Sequence, residues 1–440
     1  MKVSVVRSSI IGVMALGLGF MAGCSGSDTP YIPTTASSSS GLGATLDPAR
    51  NIKANASMAW IAYSGEKYGT DPVQTVYKIA DYINTLLPAN YPNLTGKGWK
   101  VVWGPALVIY PDTRKYILGQ VVSGYAPAQA NLTFVAQSLD APSNYIVATR
   151  GTVGPNTREW LTEDLAVDFK SWPTTTKYTA LTKVIDTPHV STATAFALQT
   201  VLTTTPPPSN PSVHAALPGA GQTLTQFLTA LAGLNKPVSV SFTGHSLGGA
   251  IAPALALWFT QAQGIATIVL PNTLIPKTIA NDYIAAPNGW DVNSKVAISC
   301  VSFAGATPGD TTFSAYFSSK LGSKYTRIYN TNDIVPRGFN RLTSARGIYA
   351  PLFLNSTTNK TLANLLYSKI IDVDKAQLIG VKYATLTQFN PDTDAPFTFP
   401  LGPPPGTAYP FAQYTSYTTQ FIYQHNDAYA NTFGLTSTNP

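Results

Sequence analysis

The stretch Lys236–Phe259 (KPVSVSFTGHSLGGAIAPALALWF) constrains the fold of this chain more than any other. Val238, Val240 and Phe242 alternate with Ser239, Ser241 and Thr243, which reads as a short buried strand. Gly244-His245-Ser246-Leu247-Gly248-Gly249 follows, and then a small, apolar run of helical length. Strand, glycine-bracketed serine and helix together describe a sharp strand-to-helix elbow. A Cβ at Gly244 or Gly248 would collide with the neighbouring strand or helix, so those positions need glycine. The serine at the tip is expected in strained backbone that lifts its hydroxyl above the sheet. The helix behind it aims N–H groups and a partial positive charge at the same point. Glycine-x-serine-x-glycine alone is a weak pattern, and an ordinary glycine-rich turn is the bland reading; its placement between a strand and a helix gives it weight.

The 440 residues leave room for one large α/β domain or two medium ones. Hydrophobic residues make up 44%, enough for a sizeable core, but charged residues only 11%, against roughly 25% in a typical soluble domain. Thr, Ser, Asn and Tyr take over the polar surface, a balance that suits a protein outside the cytoplasm. The net charge of +7 comes from scarce acids, since Glu66, Glu159 and Glu163 are the only glutamates. No Lys/Arg cluster is interleaved with aromatics, which argues against nucleic acid as a partner. Weak attraction to anionic membrane surfaces is compatible with the charge.

The N-terminus reads as a targeting segment. Lys2 and Arg7 precede the apolar run Ile10–Met21, which is too short to span a bilayer. It ends in Met21-Ala22-Gly23-Cys24, similar to the lipobox of bacterial lipoproteins, although Met21 stands where leucine is usual. That resemblance implies a signal peptide over residues 1–23 and acylation of Cys24, with Ser25 favouring the outer membrane; plain secretion is the alternative. Multiple acyl chains anchor firmly, at about 0.8 kcal/mol per buried CH₂. Residues 24–45, rich in Ser, Thr, Gly and Pro, read as a flexible tether to a domain over 46–440. Cys24 and Cys300 are the only cysteines; a lipidated Cys24 leaves no disulfide partner, and Cys300 in the run Val296–Phe303 reads as a small buried apolar residue.

In chain order, Asp47 and Pro48 can start a helix that runs through Met58 and Ile61. Val101–Tyr110, Tyr116–Val122 and Leu132–Gln137 are strand-like. Tyr145–Thr149 is another such run, leading into Arg150-Gly151-Thr152 and then the loop Val153–Asp164. Acyl transfer needs two donors aimed at the developing oxyanion. One is normally the backbone N–H after the nucleophile, here Leu247. Thr152, with an N–H and a hydroxyl at an upstream strand end, suits the second; a turn threonine is the bland reading. The proline-rich spans Pro206–Pro211 and Pro403–Pro405 read as surface loops.

An α/β-hydrolase fold, with a mostly parallel sheet and helices on both faces, orders its triad as serine, acid, histidine. Of the four histidines, His189 and His214 precede Ser246, and His245 points away by adjacency. Only His425 remains as base. No glutamate lies between Ser246 and His425, and the aspartates there are Asp282, Asp291, Asp310, Asp333, Asp372, Asp374, Asp392 and Asp394. Asp333 is preferred because it follows the strand-like run Tyr325–Asn330 and precedes Ile-Val-Pro; Asp310 is the runner-up. Acyl transfer by a serine, histidine and aspartate set needs no cofactor, and no metal-ligand cluster is visible in the sequence.

These residues resemble the class 3 lipases, the family of the fungal triacylglycerol lipases. The resemblance rests on Arg150-Gly151-Thr152, Trp160 with Asp164, Gly244–Gly249, Phe303–Pro308, Asn332–Pro336, and His425 with Tyr429 four residues on. It implies an α/β-hydrolase that cleaves acylglycerol esters, with a lid over Val153–Glu163. Departures are a missing glycine after His189, which leaves that residue a structural role, and Pro253 inside the elbow helix. Longer intervals around Asp333 imply insertions near the substrate entrance. A phospholipase or polyester depolymerase with the same triad is the second reading. A catalytically silent surface-binding lipoprotein is the third.

Overall fold

A computed structural model describes residues 51–66, 68, 71–88, 90–110, 128–153, 169–171, 188–208, 215–234, 236–263, 290–337, 383–384, 398–399 and 421–436. The leader, Cys24, the tether, Asp47-Pro48, Tyr116–Val122, Trp160, Asp164 and His214 lie outside the described residues.

The strands are β1 (Trp99–Tyr110), β2 (Ala128–Ser138), β3 (Asn144–Thr149), β4 (Phe169–Ser171), β5 (His189–Ser191), β6 (Val238–His245), β7 (Val296–Phe303), β8 (Gly309–Asp310), β9 (Tyr325–Asn330), β10 (Tyr383–Ala384) and β11 (Thr398–Phe399). The main sheet has the order β1-β2-β3-β6-β7-β9-β11. Strands β3, β6, β7, β9 and β11 run parallel, and β2 and β1 add an antiparallel edge. A small antiparallel sheet, β10-β8-β5-β4, stands apart. The helices are α1 (Ile52–Ile61), α2 (Pro72–Leu86), α3 (Thr192–Thr203), α4 (Leu224–Ala232), α5 (Leu247–Ala262), α6 (Thr311–Leu321) and α7 (Ala428–Phe433).

Strand periodicity divides the core into two layers. Val135, Val147, Val240, Phe242, Ile298 and Cys300 face one layer, packed on α3, α4, α5 and α6. Their neighbours Phe134, Ala136, Ile146, Ala148, Val301 and Phe303 face the other, packed on α1, α2 and Tyr429. A mostly parallel sheet covered on both faces, with the strand–serine–helix elbow at its centre, is the α/β-hydrolase fold.

Local chemistry sets the element ends. Asn51 caps α1, its side chain accepting from the N–H groups of Lys53 (3.0 Å) and Ala54 (3.3 Å). Helix α5 continues through the buried Pro253 to Ala262. The proline span expected wholly on the surface begins inside the protein: Pro206 is buried, and its carbonyl accepts the Gly221 N–H at 2.9 Å. Cys300 is fully buried, and burial pushes its thiol well up.

Candidate active site

Ser246 sits between β6 and α5 with φ 60° and ψ −125°, a region that non-glycine residues rarely occupy. The elbow is that tight because two glycines converge on β3. A Cβ on Gly244 would lie 2.7 Å from the Thr149 carbonyl oxygen; one on Gly248 would overlap that same oxygen and come within 2.9 Å of the Arg150 carbonyl carbon. The Ser246 N–H donates to the Phe303 carbonyl at 3.0 Å, tying the turn to the end of β7. Strain at this residue therefore persists because the surrounding backbone fixes it.

The structure brings three sequence-predicted residues together. Ser246 Oγ lies 2.8 Å from His425 Nε2. His425 Nδ1 lies 2.9 Å from Asp333 Oδ2. Asp333 is fully buried and His425 nearly so, while Ser246 is half-buried. Asp333 accepts two further hydrogen bonds: the Tyr429 hydroxyl donates to Oδ2 at 3.0 Å and the Val335 N–H donates to Oδ1 at 3.0 Å. The Asn330 N–H donates in turn to the Tyr429 oxygen at 2.7 Å. Burial and the Asp333 charge push the Tyr429 hydroxyl well up, which keeps it a donor. Arg327 ties the segment after Asp333 to the end of β7, its Nη2 donating to the Gly305 (2.9 Å) and Pro336 (2.7 Å) carbonyls.

Asp310, the alternative acid, is engaged elsewhere. Its Oδ1 accepts from the N–H groups of Phe313 (2.7 Å) and His189 (3.1 Å), and its Oδ2 lies 2.9 Å from His189 Nδ1. It caps α6 and anchors β5.

The oxyanion candidates flank the elbow. Leu247 is the first residue of α5. Thr152 follows Gly151, where a Cβ would stand 3.0 Å from Ser246 Cβ, so the two segments touch beside the serine. Arg150 is buried and turns away from the site, its Nη1 donating to Gln129 Oε1 at 3.0 Å and its Nη2 to the Ala130 carbonyl.

His245 does not point away from the site, as adjacency implied. Its ring packs beside that of His425, centroids 4.7 Å apart, and its Nε2 lies 2.7 Å from the His425 carbonyl oxygen. The period of β6 accounts for this, because Ser241, Thr243 and His245 share one face. Tyr63 and Trp60, which sequence reasoning did not single out, meet His245 there. Among the described residues no group of His, Cys, Asp and Glu could hold a metal ion, and no helix is long and apolar enough to cross a membrane.

Residues 146–342, which include the elbow and Asp333 but not His425, match the family Lipase (class 3). No curated protein matches the chain. Among solved structures, the M37 lipase is 23% identical with a TM-score of 0.62, covering 87% of this chain and 92% of that one. A lipase from Rhizopus microsporus var. chinensis and lipase II from Rhizopus niveus are each 17% identical over 67% of this chain, and 70% and 76% of theirs. Both have TM-scores of 0.32, too low to carry weight here. The chain is an α/β-hydrolase in fold, and its residues 146–342 carry the match to the class 3 lipases.

Proposed function

We propose that this protein is a serine carboxylester hydrolase of lipase type, cleaving acylglycerol esters through an acyl-enzyme. One observation carries the reading: a hydroxyl on a strained elbow, 2.8 Å from an imidazole that is itself 2.9 Å from a buried carboxylate. His425 Nε2 takes the proton as Ser246 Oγ bonds to the ester carbonyl carbon. Asp333 keeps the imidazole proton on Nδ1 and stabilises the imidazolium. The Leu247 N–H and Thr152 receive the negative charge on the carbonyl oxygen. The tetrahedral species collapses, the alcohol leaves with the proton from His425, and water hydrolyses the acyl-enzyme by the same steps in turn.

Burial of the carboxylate supports the assignment, because a desolvated charge is worth more to an adjacent imidazolium than one in water. The leader and Cys24 support export to the cell envelope, with lipid on the cysteine.

The test is release of p-nitrophenol from acyl esters of graded chain length by wild type and Ser246→Ala. Wild type should turn over and the variant should fall by several decades; a phosphonate probe should label the peptide containing Ser246. Equal inertness of both proteins on every ester would instead favour a binding role.

A further inference from the structure

We propose that His245 is a positioning residue for this hydrolysis: its Nε2–H grips the main-chain carbonyl of His425, and so sets where the His425 imidazole meets Ser246. The inference rests on the triad reading above.

A carbonyl oxygen only accepts, so at 2.7 Å from it the His245 Nε2 must carry the proton. Nδ1 is then a lone-pair acceptor, and the Tyr63 hydroxyl shares its one proton between that nitrogen at 3.1 Å and the His245 carbonyl at 3.3 Å. Both ring nitrogens are thereby used, which leaves His245 no capacity to act as a second base. The ring is clamped on its faces and edges by Trp60 (centroids 4.5 Å apart), His425 (4.7 Å) and Tyr429 (5.5 Å). Burial first, and the neighbouring His425 second, push the His245 pKa well down, so the ring stays neutral and its Nε2–H persists.

The carbonyl it holds is a sensitive one. His425 lies within a π-helical turn, Tyr423–Asp427, where the Ala428 N–H reaches back to the Tyr423 carbonyl. Such turns are rare, occur mostly as single bulges, and concentrate at functional sites. Relaxation to an ordinary α-turn would rotate the imidazole about the helix axis and away from Ser246. A hydrogen bond from outside the helix opposes that relaxation.

The rest of the fold delivers His245 to this point. Ser241 Oγ donates to Asn55 Oδ1 at 2.9 Å, and Thr243 Oγ1 donates to the Asn55 carbonyl at 3.3 Å. These bonds fix α1 against β6, and Tyr63, two residues beyond α1, arrives over the next residue on that face. Gly151 leaves the space, since a Cβ there would strike the Tyr63 hydroxyl and the His245 carbonyl.

The test uses the full chain, with rates expressed per site titrated by a phosphonate. Wild type and Ser246→Ala, run alongside, decide the hydrolase reading by themselves. His245→Phe should lower kcat about 30- to 100-fold with KM within about twofold, the scale of a misplaced catalytic group. His245→Gln, which restores an N–H donor, should recover at least part of that loss. Tyr63→Phe should lower kcat severalfold, and combined with His245→Phe should add nothing further, as expected of residues in one chain. Folded His245→Phe with kcat within about threefold of wild type, or fully additive losses, would overturn the proposal. Nitrogen-15 imidazole NMR gives a readout independent of turnover and of whether His245→Phe folds. His245 should be neutral and protonated on Nε2 from about pH 5 to 8; an Nδ1–H tautomer or titration in that window would refute the role.

Discussion

Replacing Asp333 by asparagine separates a charge from a shape. The carboxylate accepts from Val335 on one oxygen and, on the other, from Tyr429 and from the His425 Nδ1–H. Asparagine can match only one side. With its NH₂ on the first side it faces the Val335 N–H, one backbone hydrogen bond is lost, and the imidazole tautomer survives. With its NH₂ on the second side it faces two donors, and His425 escapes only by moving its proton to Nε2, where it can no longer accept from Ser246. In either orientation the charge opposite the imidazolium is gone. Opposite unit charges about 4 Å apart attract by about 4 kcal/mol at an effective dielectric constant of about 20. At 1.36 kcal/mol per decade that is roughly three decades in rate, and the wrong tautomer adds about one more. Asp333→Asn should therefore lower kcat/KM on a p-nitrophenyl ester about 10³- to 10⁴-fold while leaving the far-UV spectrum unchanged. Asp310→Asn is the matched control. It alters the other buried carboxylate paired with a histidine, at the cap of α6, and should leave kcat/KM within about threefold while lowering the melting temperature by a few degrees. Comparable losses in the two variants, or Asp333→Asn within tenfold of wild type, would refute the reasoning.

Gly248→Ala should abolish activity and destabilise the fold by several kcal/mol in denaturant titration, because its methyl meets the backbone of Thr149 and Arg150 rather than a side chain that can swing aside. The buried neutral His245 couples stability to pH: below its ordinary value of 6.5 the unfolded chain takes up a proton that the folded protein refuses. Its contribution is thus complete above about pH 6.5 and falls by up to about 1.4 kcal/mol per unit as pH drops. Unfolding curves at pH 5.0, 6.0 and 7.5 should show that slope in wild type and a shallower one in His245→Gln; identical slopes would contradict it. In a lipoprotein-exporting bacterial host, labelled palmitate should enter the wild-type chain and not Cys24→Ala, and an unlabelled, fully secreted wild type would leave plain secretion as the reading.

The parts of the site legible in the sequence are those set by nearby residues or by chain order. The elbow is local: glycine, serine and the switch from period two to a helical run lie within one stretch. His425 follows from order and elimination, since it is the one histidine after Ser246; Asp333 is a preference among eight aspartates, resting on the strand-like run before it. The pairing of Asp310 with His189 joins residues 121 positions apart and belongs to a second, small sheet that no local pattern announces. The start of α1 differs from the sequence expectation of Asp47-Pro48: Asn51 stands in non-helical backbone and caps a helix that begins at Ile52.

The polar residues of β6 ask a question that the fold answers. Strand β6 lies between β3 and β7, and helices cover both faces of the sheet. Its alternate residues Ser241, Thr243 and His245 therefore cannot face water, and all three are at most 1% exposed. A buried hydroxyl or imidazole without a partner would cost about 1–3 kcal/mol. Each must consequently be met by a polar group from whatever covers that face: Asn55 of α1 meets the first two, and Tyr63, just beyond α1, meets the third together with the His425 carbonyl. A wholly apolar helix could fill the same volume and still offer Thr243 a main-chain carbonyl, but it would leave the Ser241 hydroxyl without the Asn55 side chain that fixes the register along the strand. Helix α1 is thus selected by hydrogen bonding as well as by packing. Its register is what brings the Tyr63 hydroxyl to the histidine beside Ser246.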